Sequence, residues 1–282
     1  MLQIALPNKG VLSEDAVELV REAGYRCRRA GRELMVRDAE NEVTFLFLRP
    51  RDIAVYVSNG VLDLGITGRD LLIDSQTGLE ELLALRFGKA RFCYAGPRES
   101  SLTPADLAGL RIATSFPNLV AEDLARRGVE ARIVTLDGAV EIAIQLGVAD
   151  VIADLVQTGR TLDEAGLKTI GAPILETEAI LVARSRDVTG HNGVRAFIER
   201  LRGIIVAREY VMVEYDCPTP RLEAACAITP GIESPTVAPL SKEGWMAVKA
   251  MAHQRDVNRI LDALTEIGAK GIIITDIRTC RI

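Results

Sequence analysis

Rings are scarce in this sequence. Aromatic residues make up 4% of its 282 positions, too few to build the stacking platforms that hold single-stranded nucleic acid. Positive charge is not in excess either: 34 Lys and Arg stand against 39 Asp and Glu, a formal net charge of -5. No broad basic face is therefore available to displace counterions from a duplex, and nucleic acid is not expected as a partner. Only two histidines occur, His191 and His253, and their separation gives no HxxxH pair for a catalytic zinc. The five cysteines, at 27, 93, 217, 226 and 280, are odd in number and form no CxxC. They fit neither a disulfide framework nor a zinc knuckle, which leaves reduced, buried thiols as the expectation. GxxxxGKS/T and GxGxxG are both missing, so a nucleotide, if bound, is held without a P-loop or a Rossmann fingerprint. Met1 to Leu6 reads as a strand with no basic lead-in and no cleavage site; a cytoplasmic protein without membrane association is expected.

What is present is an ordinary globular balance, 48% hydrophobic and 26% charged, in a length that suits two or three domains. Leu2 to Leu6 and Glu42 to Leu48 read as strands, alternating with helical runs at Ser13 to Ala23 and Arg51 to Gly60. In the first helix Ser13 is placed to cap, and Ala16, Val17, Leu19, Val20 and Ala23 share one face. Asp63 to Thr67 is a buried strand ending at Gly68-Arg69-Asp70. A second α/β unit begins near Phe92, with strands at Phe92 to Ala95, Arg111 to Thr114, Ala131 to Thr135 and Val151 to Asp154. Its helices are predicted at Pro117 to Arg127 and Ala139 to Leu146. Ala179 to Arg184 reads as a strand leading back to the first unit, and Val194 to Leu201 as a helix. Such alternation predicts sheets covered by helices, with a ligand cleft between two lobes. The last seventy residues differ: strand at Ile204 to Tyr215, helix at Thr219 to Cys226, strands at Thr236 to Leu240 and Trp245 to Ala252, helix at Val257 to Ile267, strand at Lys270 to Thr275. That βαββαβ order is the ferredoxin-like pattern.

The segment richest in chemistry is Val151 to Leu162. An apolar strand ends in Asp154, and a loop carrying Thr158, Gly159 and Thr161 opens a helix. At a strand-to-helix turn, backbone N–H groups lacking partners favour a phosphate. The threonines add hydroxyls, and Asp154 can accept from the hydroxyls of a sugar attached to that phosphate. An ordinary capped turn explains the bare Thr-Gly-x-Thr equally well; the acid at the strand end tips the reading toward a phosphoribosyl cradle. Other positions stay open. Lys9 and Gly10 sit beside a polyphosphate or in a solvated loop, Arg49 meets a phosphate or a structural carboxylate, Asp70 binds ligand or caps a helix, and Glu141 occupies a first helical turn where an acid is stabilised in any case.

Several segments, taken in order, resemble the long form of the ATP phosphoribosyltransferase family of histidine biosynthesis. They are Leu6-Pro7-Asn8-Lys9-Gly10, Leu48-Arg49-Pro50-Arg51-Asp52-Ile53, Asp63 through Asp70, Asp137-Gly138-Ala139-Val140-Glu141 and the Asp154 to Leu162 cradle. The likeness continues through Glu214 to Pro218 and Thr229 to Thr236. Phosphoribosyltransferases of the commoner kind carry two adjacent acids where this chain has Ala153 and Asp154, which points to a separate ancestry. The resemblance implies an α/β fold: a two-lobed catalytic part of type II periplasmic-binding-protein architecture, with lobe I at 1–90 and 184–211 and lobe II at 91–183, plus a ferredoxin-like regulatory domain at 212–282. It also implies attack of N1 of the adenine of ATP on phosphoribosyl pyrophosphate, with Mg²⁺ carried mainly by substrate phosphates and no protein metal site.

On that likeness, Lys9, Arg49, Arg69, Asp70, Glu141 and Asp154 are the catalytic candidates. Gly10, Gly68, Leu155, Val156, Gln157, Thr158, Gly159, Arg160 and Thr161 are the binding ones. Histidine as feedback inhibitor is expected at Asp216, Ile232, Thr236 and Gly271, AMP as a competing nucleotide, and a homo-oligomer that shifts between dimer and hexamer. The rival class is a non-catalytic bilobal sensor of anions or solutes.

Overall fold

A computed structural model describes residues 1–29, 31 and 33–281. The first lobe is laid down by β1 (Leu2–Pro7), α1 (Val11–Glu22), β2 (Met35–Asp38), β3 (Val43–Leu48), α2 (Pro50–Ser58), β4 (Leu64–Gly68), α3 (Arg69–Ser75) and β5 (Glu80–Ala84). The second lobe follows as β6 (Ala90–Pro97), β7 (Arg111–Thr114), α4 (Pro117–Arg127), β8 (Arg132–Thr135), β9 (Val151–Val156), α5 (Arg160–Glu164) and β10 (Leu167–Thr177). β11 (Ala179–Ala183) then returns to the first sheet, antiparallel between β4 and β5. The sheet orders are β2-β3-β1-β4-β11-β5 and β10-β6-β9-β7-β8.

The two sheets repeat one plan. Each has a parallel run of three strands, β3-β1-β4 or β8-β7-β9. Each run is continued by one antiparallel strand, β11 or β6, that enters at a lobe crossing. Ile4, Leu6, Phe45, Phe47, Leu64 and Ile66 are fully buried, because strands covered on both faces need near-continuous apolar runs. Each such side chain contributes about 1.5–3 kcal/mol by leaving water.

The remainder comprises α6 (Asn192–Glu209), β12 (Tyr210–Pro218), α7 (Leu222–Ile228), β13 (Thr236–Pro239), β14 (Trp245–His253), α8 (Val257–Glu266) and β15 (Lys270–Asp276). Its sheet, β13-β14-β12-β15, is antiparallel throughout, giving the split βαββαβ topology. Val211, Val213, Tyr215 and Cys217 point to one face and pack with Ile260 and Leu264 of α8.

Several features depart from the sequence reading. Ala139 to Leu146 forms no α-helix: a 3₁₀ turn at Val140–Ile142 gives way to turns. Ala139 takes φ 49° and Gly147 φ 69°, so both ends of the segment break the helical ladder. Ile204 to Glu209 continues α6 rather than opening a strand, because Val194, Phe197, Ile198, Leu201, Ile204 and Ile205 bury one helical face and that period outweighs the β-branched run. Ala179 to Arg184, read as a strand leading back to the first unit, does so as β11 of the first sheet, so the lobe boundary drawn at 183/184 falls on the wrong side of it. The chain divides into two compact units, and the one that holds the third sheet begins at Ala196 and takes in Glu22–Gly24, earlier than residue 212. Strands β2, β5 and the eleven-residue β10 were not foreseen.

Candidate active site

Three strands of the two lobes end at one cavity of about 450 Å³. β1 delivers Lys9 and Gly10, β4 delivers Gly68 and Asp70, and β9 delivers Asp154 through Thr158. Ligands in open α/β sheets sit beyond such strand ends. The loop after β1 is pinned where the Ser13 hydroxyl donates to the Pro7 carbonyl at 2.9 Å. Ser13 thus lies inside α1, which begins at Val11.

The turn from β9 to α5 presents itself to this space. Thr158 and Thr161 are exposed and line the cavity beside Gly159, Leu155, Val156 and Gln157. Gly159 adopts φ 84° in the helix N-cap position with open space where a Cβ would stand. Backbone conformation, not crowding, is therefore what calls for glycine there. α5 has only five residues, so its dipole adds little and the loop amides and hydroxyls supply the attraction for an anion. Arg160 is not on the cavity wall: its guanidinium turns to Glu164 at 2.7 Å and is 83% exposed.

Asp70, Glu141 and Asp154 face the same cavity. Burial pushes the Asp154 carboxyl up to about 6, and the negative charges of Glu141 and Asp70 push in the same direction against the Leu155 N–H that it accepts. Asp70, 5% exposed, is held by Thr177, whose hydroxyl donates to Oδ1 at 2.6 Å while the Asp70 N–H donates back at 3.1 Å. Burial raises the Asp70 carboxyl as well, opposed by the Thr177 hydrogen bond. A Cβ on Gly68 would overlap this carboxylate, which explains glycine at the strand end; Gly68 also occupies the N-cap position, so Asp70 does not cap α3.

Of the predicted cations, only Lys9 lines the cavity. Arg49 is an exposed residue in the N-cap position of α2. Arg69 is committed elsewhere: its fork meets Glu81 at 2.9 and 2.8 Å and Glu178 at 3.4 Å. It lines an adjoining recess of about 570 Å³ with Arg86, Lys89 and Arg91. Recess and cavity share Ala90, Val156, Gln157, Thr177 and Glu178, so the two adjoin. Sequence reasoning missed Thr177, Phe116 and Leu71 on the cavity wall. A Ser-Phe-Pro turn after a strand was the available signal for Phe116; Thr177 gave none, being the last residue of an unforeseen strand.

In the third sheet, Asp216 and Gly271 are neighbours: Asp216 is registered against Lys270, and its Oδ2 lies 3.8 Å from where a Cβ on Gly271 would stand. Thr236 is on β13, beyond β14 from the strand bearing Asp216, and Ile232 is exposed in the preceding loop. The four therefore do not form one cluster within this chain. Among the described residues, no three His, Cys, Asp or Glu are grouped to hold a metal, and no helix is long and apolar enough to cross a membrane.

Comparison with known proteins matches residues 49–203 to the family described as ATP phosphoribosyltransferase and residues 207–279 to HisG, C-terminal domain. An ATP phosphoribosyltransferase of Salinibacter ruber is 64% identical over 282 residues, and one of Mycobacterium tuberculosis 52% over 284, each covering 100% of both chains. Among solved structures, a chain of the ATP phosphoribosyl transferase (HisG:HisZ) complex from Thermotoga maritima has a TM-score of 0.63 at 30% identity, covering 72% of this chain and 97% of that one. Tv2483 bound to L-arginine, with a TM-score of 0.50 at 13% identity over 71% of this chain and 84% of that one, shares the two-lobed fold alone.

Proposed function

This chain belongs to the ATP phosphoribosyltransferase family, and from that membership we propose how its cavity carries out the transfer. The protein is a pentosyltransferase of the first step of histidine biosynthesis. Phosphoribosyl pyrophosphate takes its 5′-phosphate to the amides and hydroxyls of Thr158, Gly159 and Thr161, and its ribose hydroxyls to Asp154. The supporting observation is that these groups stand open on the cavity wall at the end of one strand. Gln157 and Val156 span cavity and recess. The pyrophosphate lies toward Lys9, and the triphosphate of ATP enters the recess with Arg69, Lys89 and Arg91.

Adenine N1 carries a free lone pair, so attack on the anomeric carbon requires no strong base; the bond to pyrophosphate breaks as the bond to N1 forms. The site has to align two polyanions and stabilise the departing charge. Phe116 and Leu71 offer an apolar wall to the base, while Glu141 and Asp70 orient its amino group or a ribose. Mg²⁺ would be carried mainly by the substrate phosphates and keep most of its waters, with the carboxylate oxygens of Asp154 and Glu141 on the cavity wall as the available protein donors; bound there it would supply neutralisation of the pyrophosphate charge. Thr161→Val with Gly159→Ala should weaken binding of phosphoribosyl pyrophosphate at least tenfold, a loss of about 1.4 kcal/mol. Unchanged affinity by calorimetry would remove the cradle.

Histidine inhibits through the C-terminal sheet, where Asp216 and the backbone at the neighbouring Gly271 take its polar groups. AMP competes for the nucleotide position, and the active protein is a cytoplasmic homo-oligomer, dimeric or hexameric. Histidine titration of Asp216→Ala checks the regulatory part: the inhibition curve should move to much higher concentration with uninhibited turnover intact.

A further inference from the structure

Asp74 lies near the C-terminal end of α3, 3% exposed, and spends its acceptors across the lobe boundary. Its Oδ1 accepts from the backbone N–H groups of Asn118 at 2.9 Å and Leu119 at 3.2 Å, and its Oδ2 from Arg51 Nη1 at 2.7 Å. Its own carbonyl accepts from Asn118 Nδ2 at 2.8 Å. Asn118 and Leu119 are the second and third residues of α4, whose amides no helix can satisfy internally. Phe116, in the N-cap position of α4, makes no side-chain cap. A carboxylate from the first lobe therefore caps a helix of the second.

Arg51 extends the same clasp. While one arm holds Asp74, Nη2 donates to the Ser115 carbonyl, and the guanidinium lies 5.2 Å from the centroid of the Phe116 ring. Leu71 and Ile73 of α3 meanwhile pack against the core of the second lobe. Phe116 and Leu71 are also cavity wall, so one group of contacts joins the lobes and shapes the space between them.

We propose that Asp74 is a positioning residue for the transfer reaction. By capping α4 across the cleft, and through Arg51 seating Phe116, it sets the angle at which the two substrates face each other. This inference rests on the reading above that the phosphoribosyl donor is bound by the turn from β9 to α5, which belongs wholly to the second lobe. Disturbing the clasp then misaligns the nucleotide against a donor whose 5′-phosphate and ribose are still held, so turnover suffers far more than donor binding.

The test compares kcat with the directly measured Kd for phosphoribosyl pyrophosphate in the full-length protein. Asp74→Ala should lower kcat roughly 10²-fold, the scale of a small misplacement of reacting groups, with Kd within about twofold of wild type. Asp74→Asn keeps a carbonyl oxygen for the two amides and loses the ionic pair, so it should recover most of the lost turnover. Arg51→Met, which leaves the cap in place, should cost about tenfold in kcat and serves if the alanine variant does not fold. Unaltered kcat in both Asp74→Ala and Arg51→Met, or a Kd that rises in step as kcat falls, overturns the proposal, as does an asparagine variant no better than alanine. A failure of the donor site itself is separable: it shows as wild-type Kd in Thr161→Val, whatever Asp74 does.

Discussion

Asp154, proposed to hold the ribose, faces the cavity at a cost to the folded state. With its carboxyl pushed up to about 6 by burial, the native protein binds more protons than the unfolded chain between about pH 4 and pH 6. Stability contributed by this group is thus present at low pH and lost as the pH rises through 6. Asp154→Asn should be the more thermostable protein at pH 8, an advantage that fades toward pH 4 in differential scanning calorimetry, and should be much the poorer enzyme. Affinity of wild type for phosphoribosyl pyrophosphate should improve as the pH rises past 6, with a smaller change in the variant. Lys89 belongs to the same scale: Lys89→Ala should raise the KM for ATP several-fold while leaving donor Kd alone. That residues near one another along the chain share one cavity wall was legible for Asp154, Thr158, Gly159 and Thr161 but not for Arg160, since a strand, a turn and a helix are local events while the direction of a long side chain is not. The pairing of Arg69 with Glu81 and Glu178 was not legible, because these partners come from β5 and a lobe crossing and no local pattern announces such a meeting.

At the scale of elements, periodicity served best where it ran long. α4 was placed at its observed bounds, and α8 to within a residue. Short segments were decided by their flanks. The stretch from Ala139 has a helical pattern of apolar residues, yet positive φ at both of its ends leaves it a chain of turns. The backbone N–H groups of Ile142, Ala143, Leu146 and Gly147 donate within the segment, while Glu141 in it faces the cavity. Its amides, with those of the wholly exposed edge strand β13, should exchange with deuterium soonest, and those of the fully buried β4 and β11 last. Adding both substrates should slow exchange around Glu141 and leave β13 unaffected; equal protection of the two segments before and after would contradict its part in the site.

For the whole molecule, alternation of strand and helix was enough to foresee two lobes with a cleft, and the change of pattern after Ile204 enough to foresee a βαββαβ module. The return of Ala179 to Arg184 to the first unit was legible too, but its place between β4 and β5 was not, because pairing between β4 and β11 joins residues more than a hundred positions apart and leaves no mark in either segment. That pairing has a consequence for biosynthesis. β5 has β11 as its one partner in the sheet, and β4 has β11 along one side. While a ribosome is still making the second lobe, the nascent first lobe carries a gap as wide as one strand. Of the two lobes, the one translated first is thus completed second, and a message truncated before codon 179 should yield a product that chaperones retain and proteases clear.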